Sequence, residues 1–536
     1  MNYQYLKFAT LTALITYDKW YESIPSFLYY ILIFVILFGR RIYMFQIYPF
    51  YISPLRKLPH PKTKPHWILG HFFYELKRQD GGLFLDWAEE NPNEDFLVTF
   101  SILNNESILA LSPQALTEVL QSNCYTYVKP PFVVKAFKPI LGSGILFSDG
   151  DIHKHQRKLL TKAFAYGHIN SLVPIFLKES RRLVKVYRKV LADTSEGDKK
   201  GKSVELNVSE SLGALTLDII YRAGLGLDLN CLEDPDNELS TAYKNVFMTN
   251  GTVSKLTFAA QAIIPGFRFL PFKGNQLIWK ARGTIKKFAV DAIEAKIAAY
   301  EQRQKTGTKL SKKDVDIISV MIEETGGEWT VSDMTDQLTT FLVAGHETTA
   351  SAVTLALYLL GLNQDVQDRL RDEIRTQFPD GLESIATYED VESLKYLNNV
   401  IREVLRLTPP VTVTMRMADK DTMIAGQPIA KGTYVTISMA AQNKATAFWG
   451  EDAAEFNPDR WEGRQAASNM AFMTFLQGPR ACIGRRFAEL EFKSILLSLI
   501  VSFKFMIKEG QEFEWIAPVT YRPVGGLPVL IEEVAN

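Results

Sequence analysis

One short loop near the C-terminal end of the chain has residue types that could perform chemistry. The stretch FLQGPRACIG contains a Gly-Pro pair that favours an irregular loop, and an apolar-periodic helix is predicted directly after Gly484. Cys482 therefore lies at the N-terminal end of a helix, two residues after Arg480, and this setting favours a thiolate. A thiolate could be a nucleophile, a zinc ligand or an axial ligand of heme iron, and a buried structural cysteine is the remaining alternative.

A second candidate is the polar interruption of a long apolar helix predicted over residues 332–362. His346, Glu347 and Thr348 lie in its middle, although its flanks are apolar on nearly every face and should be buried. Buried charge and hydroxyl groups are costly unless something uses them. A glycine-marked kink with threonine hydroxyls bonded to carbonyls four residues earlier would also explain the pattern. A lone histidine is more often packed than a metal ligand.

The composition excludes several classes of protein. The chain has 536 residues, of which 47% are hydrophobic and 22% charged, so it suits one large enzyme or roughly three to four average domains. The 60 basic and 60 acidic residues cancel, which argues against nucleic-acid binding because nucleic-acid-binding proteins are usually basic. Three widely spaced cysteines, Cys124, Cys231 and Cys482, are too few for a disulfide scaffold or a Cys-rich zinc domain.

The N-terminal region, residues 1–52, is predicted to be a membrane anchor. The uncharged stretch IPSFLYYILIFVILF lies within the best span, about residues 20–38. Arg40 and Arg41 follow it, and this positive charge predicts that the rest of the chain faces the cytosol. Residues 6–17 form a weaker candidate for a second span or an interfacial helix. A cleaved signal peptide is disfavoured because no small-residue cleavage site follows the apolar stretch.

The remaining chain is predicted to be a proline-rich hinge, residues 53–65, followed by one catalytic domain over residues 66–536. This domain is expected to be mainly α-helical with a minor β-sheet. Two polar, turn-rich stretches, residues 194–203 and 303–314, are predicted surface loops. Strands are predicted over residues 95–100, 107–111, 433–439 and 528–531.

The cysteine loop, residues 475–484, is similar to the F-x-x-G-x-R-x-C-x-G heme-binding signature of the cytochrome P-450 family, the heme-thiolate monooxygenases. The fixed positions of that signature are all present, at Phe475, Gly478, Arg480, Cys482 and Gly484.

Three further motifs of the family precede the loop in the expected order. The stretch AGHETT resembles the oxygen-activating A-G-x-D/E-T-T/S pattern, Glu403 and Arg406 match E-x-x-R, and Arg460 belongs to a P-E-R-F-like segment, FNPDRW. The resemblance covers about residues 54–536 and implies the cytochrome P-450 fold. An anchored start followed by a proline-rich hinge resembles the microsomal members, and the general appearance is that of fungal members.

The resemblance implies heme b (iron protoporphyrin IX) as the cofactor, with Cys482 as the axial ligand of its iron. Arg480 would donate charge-assisted hydrogen bonds to a heme propionate. Phe475, Gly478 and Gly484 would shield the sulfur and let backbone N–H groups reach it.

Further roles follow from the same resemblance. Arg416, Arg157 and His153 would complete the propionate contacts. In the span HKHQR, His153 stands where the family often carries Trp, and an imidazole N–H can replace an indole N–H as a donor. Thr348 and Glu347 would be the catalytic residues, the first assisting oxygen activation with its hydroxyl and the second relaying protons from solvent.

The family's E-x-x-R motif implies a structural network rather than a catalytic one. Glu403 and Arg406 face one another at a helical spacing of three, and with Arg460 they would hold the cysteine loop in place. Substrate contacts would come from residues 132–147, from the central helix near Phe341, and from residues 411–413, which are mostly apolar.

The sequence thus predicts a monooxygenase in the endoplasmic reticulum membrane whose catalytic domain faces the cytosol. It would insert one oxygen atom of O2 into a lipophilic small molecule, such as a secondary-metabolite intermediate, with electrons from NADPH through a flavoprotein reductase. No nucleic-acid partner is expected. The alternatives are a heme-dependent isomerase or dehydratase, a heme-binding sensor and a thiol-dependent hydrolase.

Overall fold

A computed structural model of the chain describes residues 26–75, 77–78, 80–195, 203–247, 266–308, 316–326, 328–463, 468–517 and 519–534. These residues form two compact units. The smaller unit comprises the described residues up to Phe73 together with Val98–Ser107, and the larger unit comprises Tyr74–Leu97 and the chain from Ile108 onward.

The smaller unit contains an apolar helix, Ser26–Ile42, which continues through wide π-helical turns, Tyr43–Ile52, into a short 3-10 turn, Pro54–Lys57. Within the described part of the chain, one helix is long and apolar enough to cross a membrane: Leu28–Lys57, with a mean hydropathy of 1.7 and no burial in its most apolar stretch. Arg40 and Arg41 lie in the last turn of its first segment. The predicted span before residue 26, and the weaker stretch at residues 6–17, lie outside the described residues.

The larger unit is mainly helical, as predicted. A four-residue helix, Phe72–Glu75, crosses the boundary between the two units, and a 3-10 turn, Ile102–Asn104, belongs to the smaller one. The other helices span Gly82–Glu90, Pro113–Thr117, Glu118–Ser122, Pro131–Leu141, Gly150–Ala163, Tyr166–Ser171, Val173–Ser195, Val208–Leu225, Glu238–Phe247, Phe267–Phe269, Lys273–Thr306, Ile317–Thr325, Val331–Leu362, Gln364–Gln377, Leu382–Ser384, Tyr388–Ser393, Lys395–Leu407, Met439–Gln442, Thr446–Trp449, Pro458–Trp461 and Arg485–Ser502.

The strands are short, and the pairings of the larger unit are antiparallel. Val413–Ala418 pairs on one side with Tyr434–Ser438 and on the other with Tyr127–Val128. Pro528–Glu533 lies between Val204–Asn207 and Phe503–Met506. Two further pairs form small ribbons: Thr422–Ile424 with Gln427–Ile429, and Trp515–Ile516 with Arg522–Pro523. Two other strands, Phe96–Phe100 and Glu106–Ala110, each have residues in both units.

The four predicted strands therefore form, each within two residues of its expected bounds. Both loop predictions were wrong at their starts. The helix Val173–Ser195 includes the first two residues of the stretch 194–203, and residues 196–202 lie outside the described residues. The helix Lys273–Thr306 continues past Arg303 into the second stretch, 303–314, before Gly307 ends it with a φ of +66°. The rest of that stretch, from residue 309, lies outside the described residues.

The central helix, Val331–Leu362, organises the larger unit. Its start is fixed by a capping box, in which the Thr330 hydroxyl accepts from the Asp333 N–H and the Asp333 carboxylate accepts from the Thr330 N–H. Most of its residues are buried, and it packs against Val208–Leu225 and Arg485–Ser502. A helix that is apolar on nearly every face requires this surrounding, which brings the polar interruption at residues 345–349 close to the cysteine loop.

Candidate active site

The cysteine loop is held in one conformation by its own backbone. The Cys482 N–H donates to the Phe475 carbonyl at 2.9 Å, and the Ala481 N–H donates to the Gly478 carbonyl at 3.0 Å. Leu476 and Gly478 adopt positive φ angles of 57° and 79°, which turn the chain sharply before the helix Arg485–Ser502 begins. These bonds leave the Cys482 side chain exposed at the wall of a cavity.

Gly478 is required by both conformation and space. Its φ of +79° disfavours any residue with a Cβ, and a methyl group added there would collide with the Leu120 carbonyl oxygen. We expect Gly478→Ala to lower the free energy of unfolding by about 1–3 kcal/mol. Denaturant titration of the full chain measures this.

The matched control is Gly510→Ala, because Gly510 has a similar φ of +73° but no neighbouring atom within 4 Å of the added methyl. This control isolates the backbone strain from the collision. An equal loss in both variants would contradict a role for the contact between Gly478 and Leu120.

The Cys482 thiol differs from the sequence-based expectation in its charge. The side chain is open to the cavity but lies deep within the protein, and this burial raises its pKa, while the Gly484 N–H and the Arg157 guanidinium act in the opposite direction with smaller effect. Arg480 was expected to favour the thiolate, but its side chain turns away: it donates to the Ser148 carbonyl at 3.0 Å and to the Asp149 carboxylate at 2.6 Å. A metal cation at the sulfur would reverse this balance, because a coordinated thiol is deprotonated.

Basic side chains from separate elements converge beside the loop. Arg157 and His153 come from the helix Gly150–Ala163, Arg416 from a strand, Arg480 from the loop and Lys129 from the segment after a short strand. All five line the same cavity. Arg157 also ties its helix to the loop, since its Nη1 donates to the Ala481 carbonyl at 2.6 Å.

Positive charge in this basic cluster exceeds negative charge. Burial, with repulsion from the neighbouring cations, lowers the pKa of His153 to about 4, of Lys129 to about 7 and of Arg416 to about 10. Asp149 is the carboxylate that acts on this cluster among the described residues. The Nε of Arg480 is buried and has no hydrogen-bond partner there. Such a cluster suits a ligand that carries more than one anionic group.

The cavity has a volume of about 360 Å³ and lies between the cysteine loop and the central helix. On the helix side its wall includes Ala344, Gly345 and Thr348, and Ile220 reaches it from the helix Val208–Leu225. A methyl group added at Gly345 would come within 3.0 Å of Ile220 Cδ1, so these two residues already pack closely. The other apolar lining residues include Ile145, Leu146, Phe164, Phe341 and Val411.

The two predicted catalytic residues face different ways. Thr348 lines the cavity, and its hydroxyl donates to the Ala344 carbonyl at 2.7 Å. Glu347 is buried and does not line the cavity: its Oε1 accepts from the Thr520 hydroxyl at 2.8 Å and lies 3.7 Å from Arg522 Nη1. Burial raises the pKa of Glu347, and Arg522 and Thr520 lower it by less.

His346, the third polar residue of the interruption, is packed behind the cavity wall. Its Nδ1 lies 2.7 Å from the Leu342 carbonyl, and its ring meets that of Tyr243 edge-on at 5.1 Å. These contacts agree with the interpretation of His346 as a packed residue and not as a metal ligand.

The predicted structural residues form one buried network. Glu403 Oε1 accepts from Arg406 Nη2 at 2.7 Å and from Arg460 Nε at 3.3 Å, and its Oε2 accepts from Arg406 Nε at 2.9 Å. Arg406 also donates to the carbonyls of Asn443, Ala453 and Glu455, so it connects three separate segments. Because Asn443 Oδ1 accepts from the Met473 N–H at 2.7 Å, the network reaches the base of the cysteine loop.

Comparison with known proteins agrees with this geometry. A sequence model of the cytochrome P-450 family matches residues 59–520, which is most of the chain. The chain belongs to the cytochrome P-450 family. The family implies heme iron as the cofactor, dioxygen, a redox partner and a small-molecule substrate.

Fungal cytochrome P-450 monooxygenases are among the relatives. The chain is 38% identical to sphH of Aspergillus fumigatus, over 90% of this chain and 89% of sphH. It is 32% identical to FUM15 of Gibberella moniliformis, over 91% and 90%, and 29% identical to ptmK of Penicillium ochrochloron, over 92% and 96%. At this similarity and coverage the chain is a cytochrome P-450 monooxygenase.

The residues of this cytochrome P-450 fit a heme. One wall of the cavity presents the Cys482 sulfur, and the basic cluster beside it offers the unpartnered Nε of Arg480 and too few carboxylates. Two propionates would supply that missing negative charge.

Three residues beside the cavity had no signal in the sequence. Lys129 follows a two-residue strand, and Asp149 precedes the helix Gly150–Ala163, so both reach the basic cluster through tertiary packing. Tyr125 belongs with them, since its hydroxyl lies 3.2 Å from His153 Nδ1 and its ring faces the Arg480 guanidinium at 5.2 Å.

Proposed function

We propose that this cytochrome P-450 is a membrane-anchored monooxygenase of the endoplasmic reticulum, with its catalytic domain in the cytosol. The overall reaction is R–H + O2 + NADPH + H⁺ → R–OH + H2O + NADP⁺, with the electrons arriving through a flavoprotein reductase. The substrate R–H is a lipophilic small molecule of the secondary-metabolite class. The observation that carries the proposal is the cavity that has the Cys482 sulfur on one wall and the Thr348 hydroxyl on the other.

The cofactor in this proposal is heme b. When bound, it supplies the redox and oxygen chemistry that no side chain can provide. Cys482 would hold the heme iron through its sulfur, with Phe475, Gly478 and Gly484 shaping the loop around that sulfur. Arg416, Arg480, Arg157, His153 and Lys129 would hold the propionates.

The chain's own residues would position the substrate and deliver protons to the reacting oxygen. Thr348 presents a hydroxyl to the cavity, held by its bond to the Ala344 carbonyl, and it would orient a proton toward the reacting oxygen. Glu347 would bring that proton from the side of the central helix that faces Thr520 and Arg522. The apolar wall that includes Phe341 and Val411 would exclude bulk water and suits a lipophilic substrate.

The anchor is supported by the helix of the smaller unit. Leu28–Lys57 presents its apolar side chains to the exterior of the unit, and Arg40 and Arg41 stand at the end of the uncharged stretch. An exposed helix of this length and hydropathy is stable in a bilayer and poorly soluble in water.

Expression of the full chain in microsomes with a flavoprotein reductase tests the proposal. We expect a reduced carbon-monoxide difference spectrum typical of thiolate-ligated heme, NADPH consumption that depends on substrate, and a product heavier by one oxygen atom in mass spectrometry. Product formation without NADPH would favour an isomerase or dehydratase, heme binding without product would favour a sensor, and the absence of a heme spectrum would favour a thiol-dependent hydrolase.

A further inference from the structure

Glu347 is separated from the cavity, and its contacts come from a different part of the chain. Thr520 and Arg522 belong to the C-terminal segment, where Arg522 starts a short strand that pairs with Ile516. The Thr520 hydroxyl donates to Glu347 Oε1, and Arg522 Nη1 lies 3.7 Å from the same oxygen. The other carboxylate oxygen, Oε2, is buried without a hydrogen-bond partner among the described residues.

This C-terminal segment is fastened to the central helix and to the cavity wall. The Ser351 hydroxyl, one helical turn beyond Glu347, donates to the Tyr521 carbonyl at 2.6 Å. The Tyr521 N–H donates to the carbonyl of Pro410, a residue that lines the cavity. Thr520 and Arg522 on either side of Tyr521 are therefore held at a fixed distance from the carboxyl group of Glu347.

The Arg522 side chain is more accessible to solvent than the Glu347 side chain. Its side chain is 15% exposed, while that of Glu347 is 6% exposed. Arg522 is therefore the more solvent-accessible partner of the pair. A buried carboxylate without a cation would be neutral, so Arg522 is the group that makes ionisation of Glu347 accessible.

A second buried carboxyl group near the central helix differs from Glu347 because no cation pairs with it among the described residues. Glu491, from the helix Arg485–Ser502, is fully buried beside Thr349, and neither of its carboxylate oxygens has a hydrogen-bond partner among the described residues. Burial raises its pKa well above the usual range. The other titratable group of the polar interruption, His346, is directed at Leu342 and Tyr243. Arg522 is therefore the charged group that acts on Glu347 in the described part of the chain.

We propose that Arg522 and Thr520 are positioning residues for proton transfer: Arg522 keeps Glu347 able to ionise and to take up a proton again, and Thr520 fixes the direction of its carboxyl group. This inference rests on the proposed function, because it assigns a supply route to the proton that Glu347 carries. The route enters from the C-terminal strand side of the central helix and not through the substrate cavity.

Infrared titration of the carboxyl groups tests the inference without turnover. The carbonyl stretch of a protonated carboxyl group is followed against pH in the full-length holoenzyme, and Glu347→Gln identifies the Glu347 band. Removing the cation in Arg522→Met destabilises the ionised form, so we expect the midpoint of that band to rise by about one pH unit or more. Arg522→Lys retains the charge and should keep most of the original midpoint.

Glu491→Gln is the matched control, since it removes a buried carboxyl that has no cation. It should delete a band that stays protonated across the pH range and leave the Glu347 midpoint unchanged. An unchanged Glu347 midpoint in Arg522→Met would overturn the proposal. If Arg522→Met does not fold, the comparison of Arg522→Lys with Thr520→Val takes its place: the proposal requires Thr520→Val to raise the midpoint more than Arg522→Lys does.

The functional measurement is the division of NADPH between product and hydrogen peroxide, the latter formed by O2 + NADPH + H⁺ → H2O2 + NADP⁺. Thr520→Val should increase the peroxide share severalfold while substrate KM is unchanged, and Thr520→Ser should restore the original share. A change in KM alone would assign Thr520 to substrate binding and contradict the proposal. If the unmodified protein forms no product with NADPH, the proposed function fails, whereas the infrared result stands or falls by itself.

Discussion

Replacing Cys482 by serine is expected to abolish monooxygenase activity while leaving the fold intact. Serine has nearly the same size, and the two backbone bonds that hold the loop do not involve the side chain. An alcohol does not ionise at neutral pH, so the thiolate that would hold the heme iron would be lost. Changes in residues that only support a metal ligand cost about 10–100-fold, so the ligand itself should cost more than about 100-fold in turnover. The reduced carbon-monoxide spectrum and product formation measure the loss.

Cys231→Ser is the matched control for this substitution. Cys231 is fully buried away from the cavity, and its sulfur accepts a weak bond from Asn237 at 3.4 Å that a serine hydroxyl could also accept. This variant should retain the spectrum and the activity. A thiolate-type spectrum that persists in Cys482→Ser would contradict the assignment of the ligand.

Breaking the buried ion network should have the largest effect on stability. Glu403 and Arg406 are both 0% exposed, and Arg460 is nearly as buried. In Glu403→Gln the two guanidinium groups would lose their shared counter-charge, which costs about 3–5 kcal/mol in the free energy of unfolding. Because the network reaches Met473 through Asn443, the loop should also release its cofactor faster. Denaturant titration and the rate of heme transfer to an acceptor protein measure the two effects.

Asp459→Asn provides the comparison with a surface ion pair. Asp459 accepts from Arg369 Nη1 at 2.7 and 2.8 Å, and both side chains are 50% exposed. Its loss should cost no more than about 1 kcal/mol because water screens the pair. If Glu403→Gln and Asp459→Asn lowered the free energy of unfolding by similar amounts, the contribution of Glu403 to stability would not depend on its burial.

The fold was predictable where local pattern dominates. The central helix was expected over residues 332–362 and spans Val331–Leu362, because a capping signal and an uninterrupted apolar body fix it locally. The strand Val413–Ala418 had no such signal, since its alternating residues VTMRMA are partly exposed and owe their strand conformation to two neighbours. This strand carries Arg416, so the position of that residue beside the loop depended on long-range pairing.

The candidate site was predictable at the level of motifs but not of side-chain direction. Cys482 and Thr348 line the same cavity, as their motifs imply. Arg480 turns toward Asp149, which precedes it by more than three hundred residues in the chain, and no spacing rule describes such a contact. Lys129 joins the basic cluster for the same reason. Sequence patterns capture which residues share a helix face, whereas the balance of charge in a cavity depends on tertiary packing.

The close contact between Gly345 and Ile220 has a consequence for the diversification of this enzyme. Because a side chain from a different helix completes the cavity wall beside Gly345, the width of the cavity there can change without any substitution in the AGHETT motif. Gene duplicates or laboratory-evolved variants with valine or alanine in place of Ile220 should accommodate bulkier molecules in the cavity and keep Cys482 and Thr348 unchanged. Part of the substrate range can therefore change on the helix Val208–Leu225 alone, although Phe341 and Ala344 of the central helix also line the cavity.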